Sequence, residues 1–330
     1  MSSLSTLPLS VLDLAPIRAG GSAAETFRNS VHLAQETEAL GFNRYWLAEH
    51  HNISGIASAA TSVLIGHIAQ QTTHMRIGSG GIMLPNHPPL VIAEQFGTLA
   101  TLYPDRIDLG LGRAPGSDGA TMHAMRRAPQ AGVDDFPDQL AELQRYLGTP
   151  EPGQRVQAIP GQDTHVPVWL LGSSGYSAQL AGRLGLPFAF AGQFAPGYMY
   201  EALDLYRTNF RPSHVLSAPY AMLGIPMIVA ETDERAQWLA TTQQQKFLNL
   251  IRGQTTRLQP PVDTLDWLPH ERIAVERHLG ASIVGSPETA RAQLKQLIER
   301  TQINELMINT DAFDMNDRLN SYRLLAKLRE

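Results

Sequence analysis

The chain has 330 residues, 43% hydrophobic and 17% charged, enough apolar material for a large core and far from a disordered composition. Its 26 basic and 31 acidic residues leave a formal charge of −5 with no basic tract, which argues against nucleic acid and anionic membranes as partners. There is no cysteine, so disulfides, thiolate metal centres, iron–sulfur clusters and thiol nucleophiles are excluded, and a reducing, cytoplasmic setting is expected. The opening MSSLSTLPLSVLDL lacks the positive region of a signal peptide. No apolar run reaches the length of a bilayer span.

Taken in order, short apolar runs alternate with helical patterns. Leu9–Leu14 is a strand, and Ser22-Ala-Ala-Glu25 opens a helix as a capping box. Tyr45–Ala48 is the second strand, followed by a small-residue helix over 58–70. Met75–Met83 and Ile107–Leu111 are the third and fourth strands, with a helix over 90–103 between them. A Gly/Pro-rich stretch and a polar insertion lead to a helix over 138–147. The fifth strand, Val168–Leu171, precedes a helix from Ser174 that stops at Gly185. Phe188–Ala191 and Leu223–Val229 follow, each with a helix behind it, over 198–210 and 234–250. Residues 251–285 read as irregular or partly helical, then a helix from Pro287 to Glu299 leads to the eighth strand, Glu305–Asn309, and a closing amphipathic helix.

Eight strands separated by helices, without a composition break, predict an α/β fold: one (β/α)8 TIM barrel domain over residues 1–330, with insertions after strands four and seven. A doubly wound sheet would need a glycine fingerprint, and Gly110-Leu-Gly112-Arg-Ala-Pro-Gly116 misses its spacing.

Barrel chemistry sits at the C-terminal strand ends, and here those ends are rich in glycine and polar groups. Gly172-Ser173-Ser174-Gly175-Tyr176-Ser177 puts hydroxyls and free backbone N–H groups at a helix N-terminus, which reads either as simple capping or as an anion site. Arg113 at the neighbouring strand end favours the anion site. Gly78-Ser79-Gly80-Gly81 inside a strand marks a bulge or a close approach, by a flat ligand ring or by a neighbouring element. Glu49-His50-His51 suggests metal ligation, a structural pair, or one histidine facing the mouth as an acid/base with Glu49 or another neighbour fixing its tautomer. Adjacent strand residues point to opposite faces, so His50 and His51 do not readily share an ion, and no metal is expected.

These blocks together resemble the bacterial-luciferase-like flavin-dependent monooxygenase family, and within it the short luciferase-like subgroup of unassigned substrate. The likeness runs through LSVLDLAPI, GFNRYWLAEHHN, GSGGIMLPNHPPLVIAEQFGTL, RIDLGLGRAPGSD, VPVWLLGSSGYSAQLAGRLGLPFAFA, VGSPETARAQL and INELMINT. The resemblance implies a TIM barrel, a homodimer, and FMN at the barrel mouth, reduced by a separate flavin reductase and used with O2 on a small organic substrate. It carries over Ser174 and Ser177 as phosphate ligands with Gly175, Tyr176 and their helix N-terminus, and Arg113 as their cationic partner. It also implies Ser173 beside the ring, a non-prolyl cis bond between Gly80 and Gly81 against it, and His50 as the catalytic group at the flavin's oxygen-reacting edge. Arg126 or Arg127 would supply a second phosphate contact. Gly112 stands where luciferase proper has cysteine, and Gln193 where close relatives often carry histidine. The alternatives are F420-dependent hydride transfer, a non-catalytic flavin-binding protein, and a metal-dependent barrel hydrolase.

Overall fold

The structure, a computed structural model, describes residues 3–114, 119–125 and 135–329. Its parallel strands are β1 (Leu9–Asp13), β2 (Arg44–Leu47), β3 (Arg76–Met83), β4 (Ile107–Gly112), β5 (Val168–Gly172), β6 (Phe188–Ala191), β7 (Ala221–Val229), β8 (Ile283–Gly285) and β9 (Glu305–Asn309). All but β8 close into a barrel: neighbours pair from β1 to β7, and β9 joins β7 to β1. The fold is therefore the expected (β/α)8 barrel. β8 lies outside the ring on Met227–Val229, the part of β7 that runs on past its pairing with β9.

The helices are α1 (Ala23–Ala39), α2 (Thr61–Gln70), α3 (Pro89–Leu102), α4 (Gly119–Ala124), α5 (Phe136–Leu147), α6 (Gly175–Leu184), α7 (Met199–Asn209), α8 (Asp233–Ile251), α9 (Pro269–His278), α10 (Pro287–Thr301) and α11 (Met315–Lys327). Several starts are chemically specified: Ser22, Thr232 and Ser286 each accept a hydrogen bond from a first-turn N–H. Glu25, expected to complete a capping box, pairs instead with Arg18. The insertions fall where expected: α4 and α5 between β4 and β5, and α8, α9, β8 and α10 between β7 and β9. The segment 251–285 contains α9 and the three-residue β8, a strand too short to show an apolar period.

Side chains alternate between the two faces of every barrel strand, so the barrel has an inner and an outer core. Outward residues such as Val11, Tyr45, Leu109, Phe188 and Leu223 pack under the helices. Inward residues form layers. At the N-terminal end, Arg44 holds Asp108 at 2.6 Å and Glu305 at 2.9 Å, and Arg76 holds Asp108 at 2.7 Å. Above them Leu12, Trp46, Trp169, Ala189, Met222 and Met307 form an apolar plug, with the two indoles edge to face at 5.3 Å. Glycines on β3 and β4 make room for it: a Cβ on Gly78 would lie 2.8 Å from Trp46 Nε1 and one on Gly80 2.8 Å from Leu12 Cδ1. Of the bulge or close approach expected of these glycines, the close approach is present, and the β3–β4 register also shifts between Gly80 and Ile82.

Candidate functional site

Above the plug, at the C-terminal mouth, lies a cavity of about 350 Å³. Its floor is Leu12, Trp46, Met222 and Met307; its walls are Gly80–Gly81, Gly112–Ala114, Gly172–Ser174 and Gln193–Phe194. The Gly80–Gly81 peptide bond is cis. Met222 and Met307 did not stand out in the sequence, although their inward register follows from the period of two along their strands. A smaller cleft of about 210 Å³ lies outside the barrel by Arg18, Glu25 and Arg318. Its cations are engaged, Arg18 with Glu25 and Arg318 with the buried Asp13.

One wall of the cavity is chemically distinct. Ser174 is the N-cap residue of α6, yet its hydroxyl makes no capping bond. Ser177 is buried one turn on, its side chain pressed against Gly172, where a Cβ would fall 2.6 Å from Ser177 Cβ and 2.7 Å from its Oγ. Ser173, Ser174, Ser177 and Arg113 all line the cavity. The Arg113 guanidinium lies 4.0 Å over the Tyr176 ring and has no carboxylate partner among the described residues. An uncommitted hydroxyl, first-turn N–H groups and a cation with no carboxylate partner among the described residues thus meet at one helix N-terminus, which suits an anion better than simple capping does. Gly175 packs against Tyr198 and Tyr176 is 39% exposed, so both flank the cavity rather than line it. Arg126 and Arg127 lie outside the described residues.

The histidine corner differs from expectation. The buried Glu49 accepts hydrogen bonds from His51 Nε2 at 2.7 Å, His87 Nε2 at 2.9 Å, Asn86 Nδ2 at 3.1 Å and the Met83 N–H at 2.9 Å. Burial alone would raise its pKa, but the bonds from His87, Asn86 and His51 outweigh burial and hold it below the usual carboxylate value. Glu49 therefore fixes His51 and His87, not His50. Among the described residues nothing hydrogen-bonds the His50 ring, which stands edge-on to Phe194 with centroids 6.4 Å apart. His50 thus sits behind a cavity-lining residue instead of lining the cavity itself. Burial, then the charge of Lys246, lowers its pKa to about 4. Lys246 is held by Asp311 at 2.7 Å, a pairing across 65 residues that no local pattern reveals. Gln193 lines the cavity with its Oε1 buried and without a hydrogen-bond partner among the described residues. The described residues hold no group of three or more His, Cys, Asp or Glu side chains arranged for a metal ion.

Fold and cavity define a class: a (β/α)8 barrel with a largely apolar ligand cavity at its C-terminal mouth and an anion-accepting helix N-terminus on its wall. The chain belongs to the luciferase-like monooxygenase family, whose model matches residues 7–305. It is 52% identical over 327 residues to a luciferase-like monooxygenase of Escherichia coli (strain K12), with 98% of each chain covered. The solved structure of apo-MsnO8 aligns with a TM-score of 0.91 at 36% identity, covering 98% of each chain. Two more distant structures share the fold. One is the oxygenating constituent of 3,6-diketocamphane monooxygenase from Pseudomonas putida with FMN, at 18% identity, TM-score 0.73 and 97% of each chain. The other is an F420-dependent secondary alcohol dehydrogenase, at 14% identity, TM-score 0.65, 98% of this chain and 99% of that one.

Proposed function

We propose that the protein is an FMN-dependent monooxygenase that acts with O2 on a small organic substrate. The observation that carries this reading is the union, in one cavity, of an apolar ring-sized space with the α6 N-terminus, its uncommitted Ser174 hydroxyl and the Arg113 guanidinium. FMN has the matching parts, a flat ring and a terminal phosphate, and when bound and reduced it supplies electrons for oxygen activation. In this reading Ser174, Ser177, Arg113 and the N–H groups of Gly175 and Tyr176 hold the phosphate. Gly80, Gly81 and Ser173 offer the ring bare backbone, and Leu12, Trp46 and Met222 keep water from its face.

His50, neutral above its lowered pKa and packed edge-on behind Phe194, is in this reading the group that would take or share a proton at the mouth. A homodimer and a separate flavin reductase belong to the same proposal. Val63 on α2 and Leu102 on α3, 70% and 62% exposed, are each large apolar side chains that a second copy would cover. A cytoplasmic setting is part of the same proposal; no helix among the described residues is long and apolar enough to cross a membrane.

The test is to titrate the protein with FMN and with F420, then mix protein loaded anaerobically with reduced FMN with oxygenated buffer. Tight FMN binding and an oxidation time course distinct from that of free flavin support the reading. Oxidation at the free-flavin rate, with no substrate-dependent oxygen uptake, points to a flavin carrier. Preference for F420 replaces oxygen chemistry with hydride transfer.

A further inference from the structure

The apolar lining of the main cavity contains sulfur. Met83, Met222 and Met307 all border it, but they are not equally open. Met222 and Met307 are 0% and 3% exposed in the plug that floors the cavity, whereas Met83 is half-buried on its wall. A Cβ on Gly112 would fall 2.7 Å from Met83 Sδ and 3.3 Å from its Cε. Gly112 shares a face of β4 with Asp108, four residues earlier, and Asp108 belongs to the charge cluster inside the barrel. A side chain at Gly112 would therefore point into the mouth, and the Met83 thioether occupies that place.

Met83 is also held close to the backbone that the proposed function gives to the flavin ring. Its N–H donates to the buried Glu49 carboxylate at 2.9 Å, and it stands two residues beyond the Gly80–Gly81 bond in the same cavity. Beyond that anchor its side chain is unbranched, polarisable and apolar, and a thioether sulfur accepts an oxygen atom to become a sulfoxide. Other methionines supply a contrast. Met75 and Met227 are buried in the outer core. Met315, also half-buried, borders the cleft outside the barrel beside Arg18 and Arg318.

We propose that Met83 is a modification site built into the cavity wall: when reduced FMN and O2 meet there without substrate, one oxygen atom passes to the Met83 sulfur. The sulfur lone pair forms the new S–O bond, the O–O bond breaks, and the second oxygen atom leaves as water. Sulfur gives up two electrons, and reduced FMN supplies the other two electrons and two protons. The product, a sulfoxide, puts a polar oxygen on an apolar wall. The proposal rests on the main cavity being the FMN site, and it adds a reaction of the chain itself.

To test it, protein loaded anaerobically with photoreduced FMN is mixed with isotopically labelled O2, without substrate and with catalase present to destroy escaping peroxide. The chain is then digested for peptide mass spectrometry. The peptide containing Met83 gains one labelled oxygen atom, the peptide containing Met315 gains none, and methionine sulfoxide reductases remove the gain. In Met83→Leu, close in volume, label on the whole chain falls to the background of protein mixed with labelled O2 and no FMN. Protein that binds FMN yet leaves Met83 unlabelled overturns the proposal and keeps the flavin reading. Equal labelling of Met83 and Met315 also overturns it, because the oxidant has then come from solution. So does label on the chain undiminished in Met83→Leu. No binding of FMN in a fluorescence titration sinks both the modification site and the flavin reading.

Discussion

His50 carries no charge at neutral pH because burial and Lys246, followed by a smaller repulsion from His51, outweigh the attraction of Glu49 and bring its pKa to about 4. An unfolded histidine titrates near 6.5. Between those values the unfolded chain binds a proton that the folded chain refuses, so the contribution to stability is full above about pH 6.5 and declines as pH falls toward 4. His278 shifts in the same direction and adds to the decline. Urea midpoints at pH 7 and pH 5 should therefore drop more in the wild type than in His50→Asn; equal drops would mean that His50 titrates normally. Arg113 and Gln193 make opposite cases. Arg113→Ala should weaken FMN about tenfold or more in a flavin-fluorescence titration, because a charge-assisted hydrogen bond goes and nothing replaces it. Gln193→Met removes a buried acceptor that has no partner, so unfolding of the apo protein should change by less than about 1 kcal/mol or shift toward greater stability. A larger loss would show that the amide has a partner in solution.

Glu49 joins two elements. It follows β2, its N–H donates to Gly81 O at 3.1 Å, and its carboxylate gathers Met83 at the end of β3 with Asn86 and His87 beyond it. Glu49→Ala takes the shared acceptor from His51, His87, Asn86 and the Met83 N–H and should destabilise the protein by about 2–4 kcal/mol, read from urea unfolding at pH 7. Because the carboxyl pKa is lowered, that stabilisation is present above the unfolded value near 4.5 and fades as pH falls through the folded one. This element-scale role was only partly legible in the sequence. Alternation along an extended chain separated His50 from His51, and the structure keeps them apart: His51 turns to Glu49 and His50 to Phe194. That Glu49 would choose His51 and His87 depends on how far the β3 end folds back, and no spacing encodes that. The α6 N-terminus was legible because Gly172-Ser173-Ser174 breaks a strand and opens a helix within three residues. Lys246, Asp311 and His278 were not, since they meet only through the α8–α9 excursion.

Across the whole barrel, stability and binding are divided between opposite ends. The N-terminal end carries a buried charge cluster in which Asp108 takes Arg44, Arg76 and Trp46 Nε1, and Glu305 takes Arg44, Tyr220 and Asn43. The apolar plug with its crossed indoles separates this cluster from the cavity. Arg44→Met deletes the cation shared by both carboxylates and leaves them buried with fewer donors. Breaking a buried pair in this way costs about 3–5 kcal/mol, more than the intact pair contributes, because the stranded charge keeps its desolvation penalty. Urea unfolding should show that loss. FMN affinity, measured in the absence of urea on protein verified as folded by circular dichroism, should stay within about twofold of wild type, since sites that share no partner are close to additive. A tenfold loss of FMN affinity in folded Arg44→Met would mean that the plug transmits strain from floor to mouth, and that the two ends of the barrel are one cooperative unit.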